Sequence, residues 1–168
     1  MQTYTSSKTS VNRTHLPKVY GTADLRAPFV LDYGCGKYTD HIADALHAQG
    51  RELFPFDPYN QPEDVNRRTI DRVRVCVRSG VPVDVICSNV LNVIDDDGTI
   101  RFIVDQIGEI VRRTGGRAFF TVYEGDRSCV GRQTGADQYQ RNEPIRSYLR
   151  FFFPMTATVT RGMIVVEG

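Results

Sequence analysis

Phe29-Val30-Leu31-Asp32-Tyr33-Gly34-Cys35-Gly36-Lys37-Tyr38 is the stretch that sets the fold: a short apolar run stopped by two glycines. A run of this length, bounded by glycine, reads as a buried parallel strand with both faces covered. Residues 38–49 then place Ile42, Ala45 and Leu46 on one helical face, with Gly50 just past the end. Strand, glycine turn and helix open a βα unit, and open α/β sheets bind ligands at that carboxyl edge.

Outward from this unit the alternation continues. Residues 52–57 form a second strand, and Pro55 removes a ladder donor, so the strand belongs near a sheet edge. Residues 63–79 fit two periods: Ile70, Val73 and Val77 suit a helical face, while Val73, Val75 and Val77 alternate as in a strand. Their length and the glycine at position 80 favour helix. Residues 83–89 read as a buried strand. Ile100, Ile103, Val104, Ile107, Ile110 and Val111 then make one helical stripe, with Asp95, Asp96 and Asp97 at its positive end and Gly115-Gly116 after it. Residues 118–123 give another strand, and 124–142 a polar loop. Residues 144–151 suit a short helix capped by Asn142. Residues 156–160 and 163–167 read as a hairpin around Arg161-Gly162.

Bulk properties narrow the classes. The chain has 168 residues, room for one α/β domain, so a polar lead-in over 1–27 and a single domain over 28–168 are expected. Its 21 basic and 20 acidic residues exclude a strongly basic nucleic-acid domain, though a local patch stays open. No apolar run is long enough to span a bilayer, and the first residues lack a signal-peptide core. Cys35, Cys76, Cys87 and Cys129 form no C-x-x-C pair and are not grouped with the three histidines. No metal site is expected, therefore, and reduced thiols in the cytoplasm are.

The glycine turn suits either of two cofactors. A dinucleotide would want a third glycine at position 39, which is Thr39, and no acid two residues before the first glycine, where Asp32 stands. A carboxylate there suits a cofactor with a cationic amino-acid end and no phosphates, which describes S-adenosylmethionine. Asp57, at the end of the next strand, is spaced to grip ribose hydroxyls.

The stretch VLDYGCGKYTDHIADAL, followed by Phe56-Asp57-Pro58-Tyr59, resembles the class I S-adenosylmethionine-dependent methyltransferases, and more loosely small methyltransferase-domain proteins of bacteria and their phages. Val83 to Leu91 resembles their fourth motif, and the match covers residues 28–124. The resemblance implies a Rossmann-like three-layer sandwich: a mostly parallel sheet of six strands ending in an antiparallel hairpin. It also implies that Asp32, Gly34 and Gly36, with Cys35 between the glycines, meet the methionine portion. Asp57 would hold the ribose, Pro58 would lie beside adenine, and Ser88, Asn89 and Val90 would line the methyl side. Two departures stand out. Tyr38 replaces the usual third glycine, and only 26 residues separate Asp57 from Asp84, so the third strand is expected to be missing.

Ser88-Asn89-Val90-Leu91 lacks the prolines of the adenine and amine methylases, which makes Asn89 a pocket residue rather than an amine-activating one. Tyr123, Arg132, Tyr139 and Arg141, in or beside the polar loop, are candidates for a substrate wall; the alternative is a solvated connection. His41 reads as a helix-surface residue and Phe151-Phe152-Phe153 as core or a docking patch. No general base is assigned. A small molecule or nucleotide is the favoured substrate. The alternatives are a nucleic acid or protein recognised through a partner, or a module that binds cofactor without turnover.

Overall fold

The structure is a computed structural model that describes residues 1–9 and 12–168. β1 (Phe29–Tyr33) is paired in parallel on both sides, with Leu31 opposite Phe54 of β2 (Glu52–Phe56) and Val85 of β3 (Val83–Ser88). Its side chains alternate between two cores: Val30 points into one and Leu31 into the other, both buried. That is why the strand reads as a continuous apolar run.

The main sheet has six strands in the order β2-β1-β3-β4-β8-β7, with β4 at Arg117–Thr121, β7 at Ala157–Thr160 and β8 at Met163–Glu167. β1 to β4 are mutually parallel, and β8 runs antiparallel to both β4 and β7. Proline-bearing β2 lies at an edge. Helices cover both faces. α3 (Glu63–Ser79) and α4 (Asp97–Thr114) pack on one through Val73, Cys76, Ile103, Val104 and Ile107. α1 (Val19–Thr22) and α2 (Asp40–His47) pack on the other through Val19, Tyr20, Ile42 and Leu46.

Residues 63–79 are helical, and α3 stops at Gly80 in the left-handed region (φ 66°). The strand-like alternation of valines has no structural counterpart, since Val75 faces solvent at 62% exposure while Val73 is buried. α4 is capped by Asp96, whose carboxylate accepts from the Thr99 amide at 2.7 Å. A single helix, α3, joins β2 to β3 with no strand between them.

Other expectations are corrected. The polar loop holds a separate hairpin, β5 (Arg132–Gly135) and β6 (Gln138–Gln140), too short and too polar to show a period. Residues 145–151 form a 3-10 helix beginning after Pro144, and Asn142 does not cap it. Asn142 instead adopts a left-handed backbone (φ 56°) and donates through Nδ2 to the Val130 carbonyl. The described residues of the lead-in over 1–27 are irregular apart from a short 3-10 helix and α1, and Tyr20, Leu25 and Ala27 among them are buried. Buried Asp84 ties this segment down by accepting from the amides of Arg26, Ala27 and Arg117.

Candidate functional site

A cavity of about 350 Å³ opens at the carboxyl ends of β1, β2 and β3. Nine residues singled out in the sequence line it together: Asp32, Gly34, Cys35, Gly36, Asp57, Pro58, Ser88, Asn89 and Val90. The glycine turn is shaped by two left-handed residues, Gly34 (φ 83°) and Gly36 (φ 74°). The Gly34 and Cys35 amides both donate to the Phe56 carbonyl, at 2.7 and 3.2 Å, which stitches the turn to the end of β2. A Cβ on Gly34 would overlap the Val90 side chain.

Asp57 organises the loop. Oδ1 accepts from the amides of Tyr59 and Asn60, each at 2.9 Å. Oδ2 accepts from the Gly36 amide at 2.9 Å and from Asn60 Nδ2 at 3.3 Å. Four bonds fill the acceptor capacity of a carboxylate. The residue expected to hold ribose is thus engaged by its own turn.

Asp32 differs. It is 4% exposed and accepts one hydrogen bond from the Tyr20 hydroxyl, at 2.5 Å. Burial pushes its carboxyl up to about 7; the Tyr20 bond opposes the rise and neighbouring Asp57 adds to it. Among the described residues no lysine or arginine lines the cavity. Burial also drives the Cys35 thiol well above its ordinary value, aided by Asp32 and Asp57, so it stays protonated and is no nucleophile at neutral pH.

The sequence reading missed the roof. Gln2, Thr5, Ser6, Ser7, Thr9 and Asn12 all line the cavity. The segment is pinned by polar contacts: the Thr3 amide to Asp95, the Thr5 amide to Asp137, and Ser6 Oγ to the Val93 carbonyl. Tyr4 stacks on Tyr139 with ring centroids 5.7 Å apart. His41 also lines the cavity instead of lying on the helix surface, and both its ring nitrogens are buried without a partner.

A second cavity, of about 630 Å³, adjoins the first and shares Thr9, Asn89 and Val93 with it. Tyr123, Arg132 and Tyr139 line it. Arg141 does not. It is buried at 6% exposure, donating to the Ile94 carbonyl and paired with Glu143 and Asp97 at 3.0 and 2.5 Å, so it braces the loop. A broader apolar groove of about 770 Å³ between α3 and α4 holds none of the candidate cofactor or substrate residues.

Among the described residues, no cluster of three or more His, Cys, Asp or Glu side chains is arranged as metal ligands. No described helix is long and apolar enough to cross a membrane. Compared with known proteins, the chain matches no family model, no curated protein and no solved structure.

Proposed function

We propose that the chain is a class I S-adenosylmethionine-dependent methyltransferase on a Rossmann-like three-layer sandwich without the family's third strand, and that the first cavity holds the cofactor. One observation carries this reading: Asp32 is a buried carboxyl with no cationic partner, in a cavity that no lysine or arginine lines. A phosphate-bearing dinucleotide would bring negative charge against two aspartates. A ligand with an ammonium end and a sulfonium would instead supply the charge that Asp32 lacks. The volume also suits, since small-molecule sites span roughly 300–1,000 Å³.

When bound, S-adenosylmethionine would supply an electrophilic methyl group to an acceptor lone pair, with the neutral thioether as leaving group and the acceptor's proton passing to bulk solvent once the site opens. The chain's part is alignment. Asp32 binds the ammonium end, held in place by Tyr20. Gly34 and Gly36 let the backbone approach closely, and Asp57 holds the turn that carries them. Ser88, Asn89 and Val90 line the methyl side, Asn89 facing the second cavity as well, and Gln2, Thr5, Ser6, Ser7 and Thr9 close the first cavity over.

The test is calorimetric titration of the protein with S-adenosylmethionine, its demethylated product, and NAD. Micromolar binding of the first two without NAD supports the reading. Binding of NAD alone, or of none of the three, refutes it.

A further inference from the structure

We propose that the second cavity is the acceptor site and that it takes a molecule bearing an oxyanion, a phosphate or a carboxylate, on the Arg132 guanidinium; the assignment rests on methyl transfer from the first cavity. Among the described residues Arg132 is the only lysine or arginine lining either cavity. Its side chain, on β5, is 63% exposed, and its guanidinium makes no hydrogen bond among the described residues. Its ionic contact is with Asp126, Nη1 to Oδ2, at 3.7 Å between two water-exposed side chains. A pair that long and that open to solvent is worth little. Asp126 is engaged by its own turn, with Oδ1 accepting from the Ser128 amide at 3.0 Å. The other arginines of this loop are taken: Arg127 pairs with Glu124 at 2.5 Å, and Arg141 is buried against Asp97 and Glu143.

A planar guanidinium with its N–H groups unused takes an oxyanion through two parallel bonds, which a single distant carboxylate oxygen does not provide. The same cavity supplies neutral donors. Tyr123 and Thr134 line it as exposed residues, and neither hydroxyl has a hydrogen-bond partner among the described residues. Charge also divides the two cavities. Two aspartates and no lysine or arginine line the first, whereas the second holds Arg132 with Asp126 loosely beside it. A cationic cofactor and an anionic acceptor each meet the opposite sign in this arrangement, and the sulfonium adds its own attraction for the acceptor. Asn89 lines both cavities from a left-handed backbone (φ 56°), which sets the methyl side of the first beside the second.

The experiment is calorimetry on the full chain, with and without saturating S-adenosylhomocysteine. The probes are phenyl phosphate, benzoate and inorganic phosphate, with phenol and benzamide as the neutral counterparts of the first two. At least one organic anion should bind about tenfold or more tightly than its neutral counterpart, and its affinity should fall as salt rises. Phenyl phosphate and inorganic phosphate binding ahead of benzoate would assign the anion to a phosphate; the reverse order would assign it to a carboxylate. Arg132→Ala, at an exposed position where folding is not at stake, should remove the preference for the anion and leave S-adenosylhomocysteine affinity unchanged. Arg132→Lys should keep part of it. Asp126→Asn should strengthen anion binding, because it withdraws the competing carboxylate. Normal product binding with no preference for the anions, or a preference that survives Arg132→Ala, overturns the proposal. Anion binding that depends on Arg132, without S-adenosylhomocysteine binding, would keep the anion site and remove the methyl-transfer reading.

Discussion

Asp32→Asn should stabilise the protein at alkaline pH while removing the charge proposed to bind the cofactor's ammonium end. Burial raises the Asp32 carboxyl from 3.8 to about 7, so between those values the folded chain keeps a proton that the unfolded chain has lost. The resulting stabilisation is fully present below the unfolded value and is lost as pH climbs through the window. At about 1.36 kcal/mol per unit the window is worth about 4 kcal/mol. About 2.5 kcal/mol of that falls between pH 5 and pH 8, because the unfolded carboxyl is already largely ionised at pH 5. Asparagine is nearly isosteric, stays neutral, and can still accept from the Tyr20 hydroxyl. Urea unfolding of both proteins at pH 5 and pH 8 measures the effect; the titration of other groups cancels in the difference. The variant's advantage should grow by about 2.5 kcal/mol across that range. Its affinity for S-adenosylmethionine should be at least about tenfold weaker, whereas the parent's should strengthen as pH rises through 7 and the carboxylate forms. Parallel pH dependences would refute the reasoning, because they would mean that Asp32 is ionised and satisfied in the folded protein.

Gly34→Ala places a Cβ at φ 83° and against Val90, and should cost about 1–3 kcal/mol along with cofactor affinity. Adding Val90→Ala should recover the part due to overlap but not the backbone part, as read by thermal unfolding and titration. Gly116→Ala and Gly108→Ala should separate sharply in melting temperature: a Cβ at 116 meets the backbone carbonyl of Val83, which cannot yield, whereas one at 108 meets the flexible Met155 side chain. Asp84→Asn keeps the shape but turns an amide nitrogen toward backbone N–H donors, and should cost about 2–4 kcal/mol in equilibrium unfolding. An unchanged midpoint would show that the amides left facing the new NH2 group find water instead.

The parts of this fold legible in the sequence are those whose environment is uniform along an element. β1 and β3 are covered on both faces and read as apolar runs, and α4 buries one stripe and reads as a helix. The glycine turn was legible because close approach and left-handed backbone leave few other residues possible. The roof over the first cavity was not: residues 2–9 are polar and aperiodic, and they are held by partners such as Asp95 and Asp137 that no local pattern announces. Arg141 looked like a free donor because its partners Asp97 and Glu143 converge only in the folded chain. Asp57 carried a signal that was underread. Asp-Pro-Tyr-Asn initiates a turn in which the carboxylate caps the following amides, which explains why its oxygens are engaged internally.

The roof has a consequence for how the protein is made. The side chains and amides of residues 3–6 bond to groups that lie 87 to 133 positions later in the chain. On the ribosome these early residues emerge with nothing to seat on. Their landing places arrive only with the turn before α4 and the β5–β6 hairpin, and closing so long a loop is slow relative to local helix formation. This segment is thus among the later of the described residues to settle. Until it seats, the first cavity lacks the wall that Gln2, Thr5, Ser6, Ser7 and Thr9 supply.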